Sequence, residues 1–257
     1  GAISSSPPFA LFVSLVNPHD VWVYPDALKE SGYDLNDFGV GRNTTSSRRF
    51  DGIDLPFNYN DTLARKPSVQ RLVRAAQEKA SPLNPQEHND VNFLRFYAYL
   101  HTLVDAEMGR ILDVLDELEL TNDTVVVRSS DHGELGLSHG LREKAYTAYE
   151  EQIRIPLVVS NPVMFPPLTN TSTDGPNGTQ QQKNISSFRE TDAFYSHIDL
   201  LPTIAALAQV PLPGDDHQQV LHTSTMNNRR SSQRREGSTI HGISQLPVIM
   251  GDVQSVR

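Results

Sequence analysis

The 257-residue chain contains no cysteine. That excludes disulfides, thiolate metal sites and a cysteine nucleophile within it. It also lacks any apolar run near the roughly 18 residues that a membrane helix needs. Positive charge is scarce: 22 Lys and Arg stand against 31 Asp and Glu, for a net charge of −9. A general nucleic-acid binder needs a basic face to neutralise phosphates, so that class is excluded. No basic stretch followed by an apolar one opens the chain, so no signal peptide is visible. There is no initiator Met, and Gly1–Pro8 leads straight into an apolar run. This is the look expected of a truncated product.

What is present reads as alternating strands and helices, the pattern of an α/β domain. Phe9–Val16 is short, apolar and rich in strand formers, which predicts a buried strand of a mostly parallel sheet. Residues 20–88 are irregular apart from a helix near Val69–Lys79. In 90–120, Leu94, Tyr97, His101, Val104, Met108, Ile111, Leu115 and Leu118 recur by threes and fours. That spacing predicts a helix of about 28 residues with its apolar stripe in the core. Strands are predicted at Thr124–Ser129 and Ile155–Ser160, with a short helix at Tyr146–Gln152 between them. Ser196–Gln209 reads as a helix, with Pro202 acceptable only near a first turn or a kink. Residues 1–210 therefore form the main domain, 168–187 a disordered Thr/Asn/Gln-rich insertion, and 211–257 an irregular segment. Six N-x-[ST] sequons, at Asn43, Asn60, Asn122, Asn170, Asn177 and Asn184, point to the secretory pathway.

Two chemistry-bearing segments follow predicted strands, where open α/β sheets bind ligands. His19 follows the first, and Asp131-His132 follow the second. Asp131 offers a carboxylate oxygen and His132 an imidazole nitrogen, suited to part of a Ca²⁺, Mg²⁺ or Mn²⁺ site. Alone, the pair reads sooner as a turn-capping Asp beside a surface His than as a metal site. Lys144, beyond Gly136, His139 and Gly140, could hold an anionic ester oxygen near such a cation. His19 could give a proton to a leaving oxygen.

Ser129-Ser130-Asp131-His132-Gly133-Glu134, then Gly136, His139-Gly140-Leu141, Lys144, Tyr149-Glu150-Glu151 and Arg154-Ile155-Pro156 resemble one motif block of the sulfatases. Asn17-Pro18-His19-Asp20 and Ser196–Ile204 resemble two flanking segments of the same family, in the right order. The resemblance covers residues 9–210, loosely through 20–88 and not at all in 168–187, and more weakly Gly242–Pro247.

The resemblance implies an alkaline phosphatase-like fold: a mixed, mostly parallel sheet flanked by helices, here incomplete at its N-terminal side. It implies a sulfuric ester hydrolase using a divalent metal, usually Ca²⁺, on a small-molecule or glycan sulfate ester. Asp131 and His132 match metal-ligand positions, although many members carry Asn at the second. Lys144 matches the sulfate-contacting lysine, His19 the leaving-group histidine, and His139 a pocket-wall, substrate-binding position. Sulfatases draw a formylglycine nucleophile from a C/S-x-P-x-R motif. Neither that motif nor the early pair of metal-binding aspartates occurs in this sequence. Two other readings stay open: a phosphate or phosphonate ester hydrolase of the same superfamily, and a non-catalytic metal- or anion-binding protein.

Overall fold

The computed structural model describes residues 9–40, 47–80, 90–144, 146–166, 168–172, 181–185, 190–212 and 242–251. The sequons at Asn43 and Asn177 and most of the segment 211–257 lie outside them. The chain divides into two compact units, Phe12–Ser160 and the pair Gly1–Leu11 with Asn161–Arg257.

In the Phe12–Ser160 unit, helix α1 spans Ser68–Ala80 and α2 spans Asp90–Glu117. Strand β1 (Val126–Ser129), a short helix α3 (Glu150–Ile153) and strand β2 (Leu157–Ser160) follow. The core gathers on the first half of α2. Phe96 is fully buried and packs against Tyr33 at 5.1 Å, Phe38 at 5.2 Å and Tyr24 at 6.0 Å between ring centroids. Val21, Val23 and Tyr24, from the 3-10 helix His19–Val23 and its cap, close the same cluster. A second cluster of Leu63, Leu135 and Leu141 ties the loop after β1 to the chain just before α1.

Three expectations change here. Phe9–Val16 forms no strand, and Phe9, Phe12 and Val16 are 70%, 76% and 71% exposed. A strand needs a neighbour for its N–H and C=O groups, and none of the described strands pairs with this segment. The β1–β2 ladder is antiparallel, with Val126 opposite Ser160 and Ser129 opposite Leu157. The expected mostly parallel sheet is therefore not seen among the described residues. The residues of α2 buried most deeply are Phe93, Phe96 and Leu100, one position ahead of the expected stripe. Leu94 and Tyr97 flank that core, whereas Leu118 is 62% exposed. A helical period admits both phases, and the larger aromatic side chains decide between them.

In the other unit, β3 (Leu168–Ser172) and β4 (Gln181–Ile185) form an antiparallel hairpin where a disordered insertion was expected. Alternating Thr and Asn can sustain a ladder, although composition alone reads as disorder. A 3-10 turn at His197–Asp199 leads into α4 (Leu200–Leu207), with Pro202 in its first turn as required. Asp199 is fully buried. It accepts from the N–H groups of Ser196 (3.0 Å) and Ile243 (2.9 Å) and from Gln245 Nε2 (3.2 Å). These bonds pin the segment before helix α5 (Leu246–Met250).

Candidate active site

All five residues singled out in the sequence lie in the Phe12–Ser160 unit. His19 opens the 3-10 helix His19–Val23 and is exposed. Tyr33 fixes that turn: its hydroxyl donates to Asp20 Oδ2 at 2.6 Å and accepts from Asn17 Nδ2 at 3.1 Å. The His19 ring leans on Trp22, with centroids 6.4 Å apart.

Asp131 and His132 follow the C-terminal end of β1. The Asp131 side chain is 83% exposed and that of His132 39% exposed. Asp131 Oδ1 accepts from the His132 N–H at 3.0 Å. His132 Nδ1 lies 2.8 Å from the Gly133 carbonyl oxygen, which can only accept. Nδ1 therefore carries the proton, and in the neutral ring Nε2 is left with a bare lone pair. That nitrogen sits 3.4 Å from Asp131 Oδ2, a second lone-pair atom. Both atoms can turn a lone pair to a cation, and a backbone carbonyl on the far nitrogen is how metal-bound histidines are oriented. The residues present fit one corner of a divalent site. A Ca²⁺ takes six to eight oxygens, and no cluster of three or more His, Asp or Glu occurs among the described residues.

Gly133 matters for a steric reason. Its N–H donates to the Gln152 carbonyl at 2.8 Å, and a Cβ there would fall 2.0 Å from the Glu151 carbonyl oxygen. The turn at Asp131–Gly133 therefore lies flat on the α3 backbone. Glu134 then turns inward and accepts from the N–H groups of Gly136 (3.2 Å) and Glu143 (2.5 Å). Burial pushes its carboxyl up, opposed by those two N–H groups and by the Lys144 charge. The same carboxylate thus links the Asp131–Gly133 turn to the Lys144 segment.

His139 is held by its own set of partners. Its Nδ1 is 2.8 Å from Asp61 Oδ2 and its Nε2 is 3.2 Å from Asn58 Nδ2. Its ring stacks on Tyr149 at 3.9 Å. Sequence reasoning missed Asn58 and Asp61, which lie 81 and 78 residues from His139.

A cavity of about 100 Å³ joins the remaining parts. Val21, Tyr24 and Phe93 form its apolar floor, while Trp22, Gln77, Arg142 and Glu143 line its mouth. Trp22 is three residues from His19, and Glu143 precedes Lys144. The segments carrying His19 and Lys144 therefore meet at one cavity, although no hydrogen bond joins His19 to Lys144, Asp131 or His132. Trp22 and Arg142 were also missed; an exposed Trp beside the histidine was their only signal.

The sulfatase family profile matches residues 2–210. Among curated relatives, an uncharacterized sulfatase of Escherichia coli K12, YidJ, is 29% identical over 206 residues. That match covers 80% of this chain and 33% of the relative. Arylsulfatase K of Bos taurus is 26% identical over 212 residues, covering 82% and 34%. A solved 2-O GAG sulfatase shares the fold at a TM-score of 0.56 and 20% identity, covering 93% of this chain and 40% of that one. The chain belongs to the sulfatase family. It spans about a third of the length of these curated relatives.

Proposed function

We propose that the protein acts as a metal-dependent sulfuric ester hydrolase of the arylsulfatase type. Its substrate is a small-molecule or glycan sulfate ester. The observation that carries this reading is the Asp131–His132 pair, with Nε2 and Oδ2 3.4 Å apart, followed two residues later by Glu134, which accepts from the Glu143 N–H next to Lys144. Asp131 and His132 would hold a divalent cation, Ca²⁺ first and Mg²⁺ or Mn²⁺ as alternatives, which would polarise the sulfate oxygens. The Lys144 ammonium holds a further sulfate oxygen by charge. His19 keeps a ring proton for the leaving oxygen. Trp22 and Arg142 border the space for the leaving group, where an indole face and a guanidinium can meet a ring and its polar substituents. No C/S-x-P-x-R motif occurs in this sequence, so the reading names no nucleophile in it, and it includes the mixed, mostly parallel sheet. The sequons support passage through the secretory pathway, and Asn60 is exposed.

The test pairs an aryl sulfate with a phosphonate monoester of the same leaving group. The substrate is offered to a longer polypeptide in which this chain is joined to a C/S-x-P-x-R segment. Preferential sulfate ester hydrolysis is expected, falling about 100-fold or more in Lys144→Ala by loss of an oxyanion contact. Preference for the phosphonate would favour the phosphonate ester hydrolase reading instead. The chain without that segment is expected to turn over neither ester.

A further inference from the structure

We propose that His139 is a positioning residue, expected though it was to line the substrate pocket: it sets the Lys144 segment through a clamp with Asp61 and Asn58. The inference rests on the reading of Lys144 as the sulfate contact.

The ring has no nitrogen to offer a substrate. Asn58 Nδ2 also donates to Glu151 Oε1 at 3.3 Å, and a carboxylate oxygen only accepts. That fixes the amide orientation, so the second N–H of Asn58 points at His139 Nε2. Nε2 is therefore the acceptor, and Nδ1–H donates to Asp61 Oδ2. Asp61 is itself held by the Leu63 N–H on its other oxygen at 2.9 Å. The clamp is locked from the backbone side as well. Arg74 Nη2 donates to the carbonyls of both Asp61 and His139, bridging the two strands of chain. Gln77 repeats the device, donating to the Arg142 carbonyl at 2.6 Å and accepting its N–H at 3.1 Å. Lys144 follows two residues later.

The backbone makes the same point. Leu137, His139 and Gly140 have φ of 67°, 57° and 63°. For Leu and His that region is unfavourable, and such conformations persist only when their surroundings hold them. At Gly140 an added Cβ would lie 3.0 Å from Arg74 Nη2, so the clamp also needs glycine there. Residues 137–144 form a segment shaped by its contacts with 58–77.

The experiment uses the full chain with His139→Ala, His139→Asn and Leu100→Ala, the last a buried core residue remote from the clamp. Asn keeps a donor near the Nδ1 position. Amide hydrogen exchange is measured across 135–144, imidazole ¹⁵N spectra report the His139 tautomer, and the Lys144 Nζ signal is followed with and without inorganic sulfate. Expected results are an Nδ1–H tautomer, at least tenfold faster exchange in His139→Ala with partial recovery in His139→Asn, and a displaced Lys144 signal. Leu100→Ala should leave the Lys144 signal in place. Sulfate shifting the His139 ring nitrogens directly, or unchanged exchange in His139→Ala, would overturn the proposal. If Lys144 ignores sulfate while the exchange pattern holds, the sulfate reading fails and the clamp stands.

Discussion

Replacing Gly133 by Ala probes how closely the Asp131–Gly133 turn lies on the backbone of α3. The Gly133 backbone is not left-handed, so the cost is contact rather than conformation. A Cβ would sit 2.0 Å from the Glu151 carbonyl oxygen and 3.0 Å from its carbon. Carbon and oxygen meet comfortably at about 3.3–3.6 Å, so the two segments must part by more than an ångström. That movement breaks the 2.8 Å bond from Gly133 N–H to the Gln152 carbonyl. The lost bond is worth about 1 kcal/mol, and the overpacking about 1–3 kcal/mol. The sum, about 2–4 kcal/mol, corresponds to a fall in Tm of about 4–16 °C for a chain of this size. Trp22 is the only tryptophan and belongs to the same unit, so its fluorescence reports this transition. A fall of less than about 2 °C would refute the close approach.

Two further perturbations test other parts of the structure. Tyr59 is pushed up to about 12 by its hydrogen bond to Asp90 and by burial, and Tyr97 to about 12 by burial and the Glu134 charge. Both should escape an absorbance titration that ionises ordinary tyrosines near 10. The stability they contribute is full below the unfolded value of about 10 and is lost as pH rises through 12. Ionisation of every tyrosine by pH 11 would contradict this. Asp199→Ala leaves the N–H groups of Ser196 and Ile243 and the Gln245 amide without their acceptor. A cost of about 3 kcal/mol and early proteolysis near 242–246 are expected, whereas an unchanged cleavage pattern would count against the pinning.

The local elements were legible because local rules make them. The 28 residues of α2 match the predicted helix in length, and α1 begins one residue from its predicted start. Pro202 falls in the first turn of α4, where its missing N–H costs nothing. Phe9–Val16 was misread because β propensity says nothing about a partner. The motif block showed which residues to watch, but not what holds them. Asn58 and Asp61, in a stretch that reads as irregular, and Arg74 and Gln77, on the predicted helix α1, act across 65 to 81 residues of sequence. Such contacts come from packing Leu63, Leu135 and Leu141 together, and no periodicity encodes that.

One titration bears most directly on whether Asp131, His132, Lys144 and His19 serve a single metal-and-sulfate site. The full chain is titrated with Mn²⁺ and then with inorganic sulfate while amide, imidazole and lysine signals are followed. Mn²⁺ should broaden Asp131 and His132 before any other residue, with weak affinity because two ligands are far fewer than such a cation takes. Sulfate should then shift Lys144 Nζ and the His19 ring together, and the His19 shift should shrink in Lys144→Ala. Broadening that begins at the exposed Asp34–Asp37 turn while Asp131 stays sharp, or sulfate that moves neither Lys144 nor His19, would contradict the assignment.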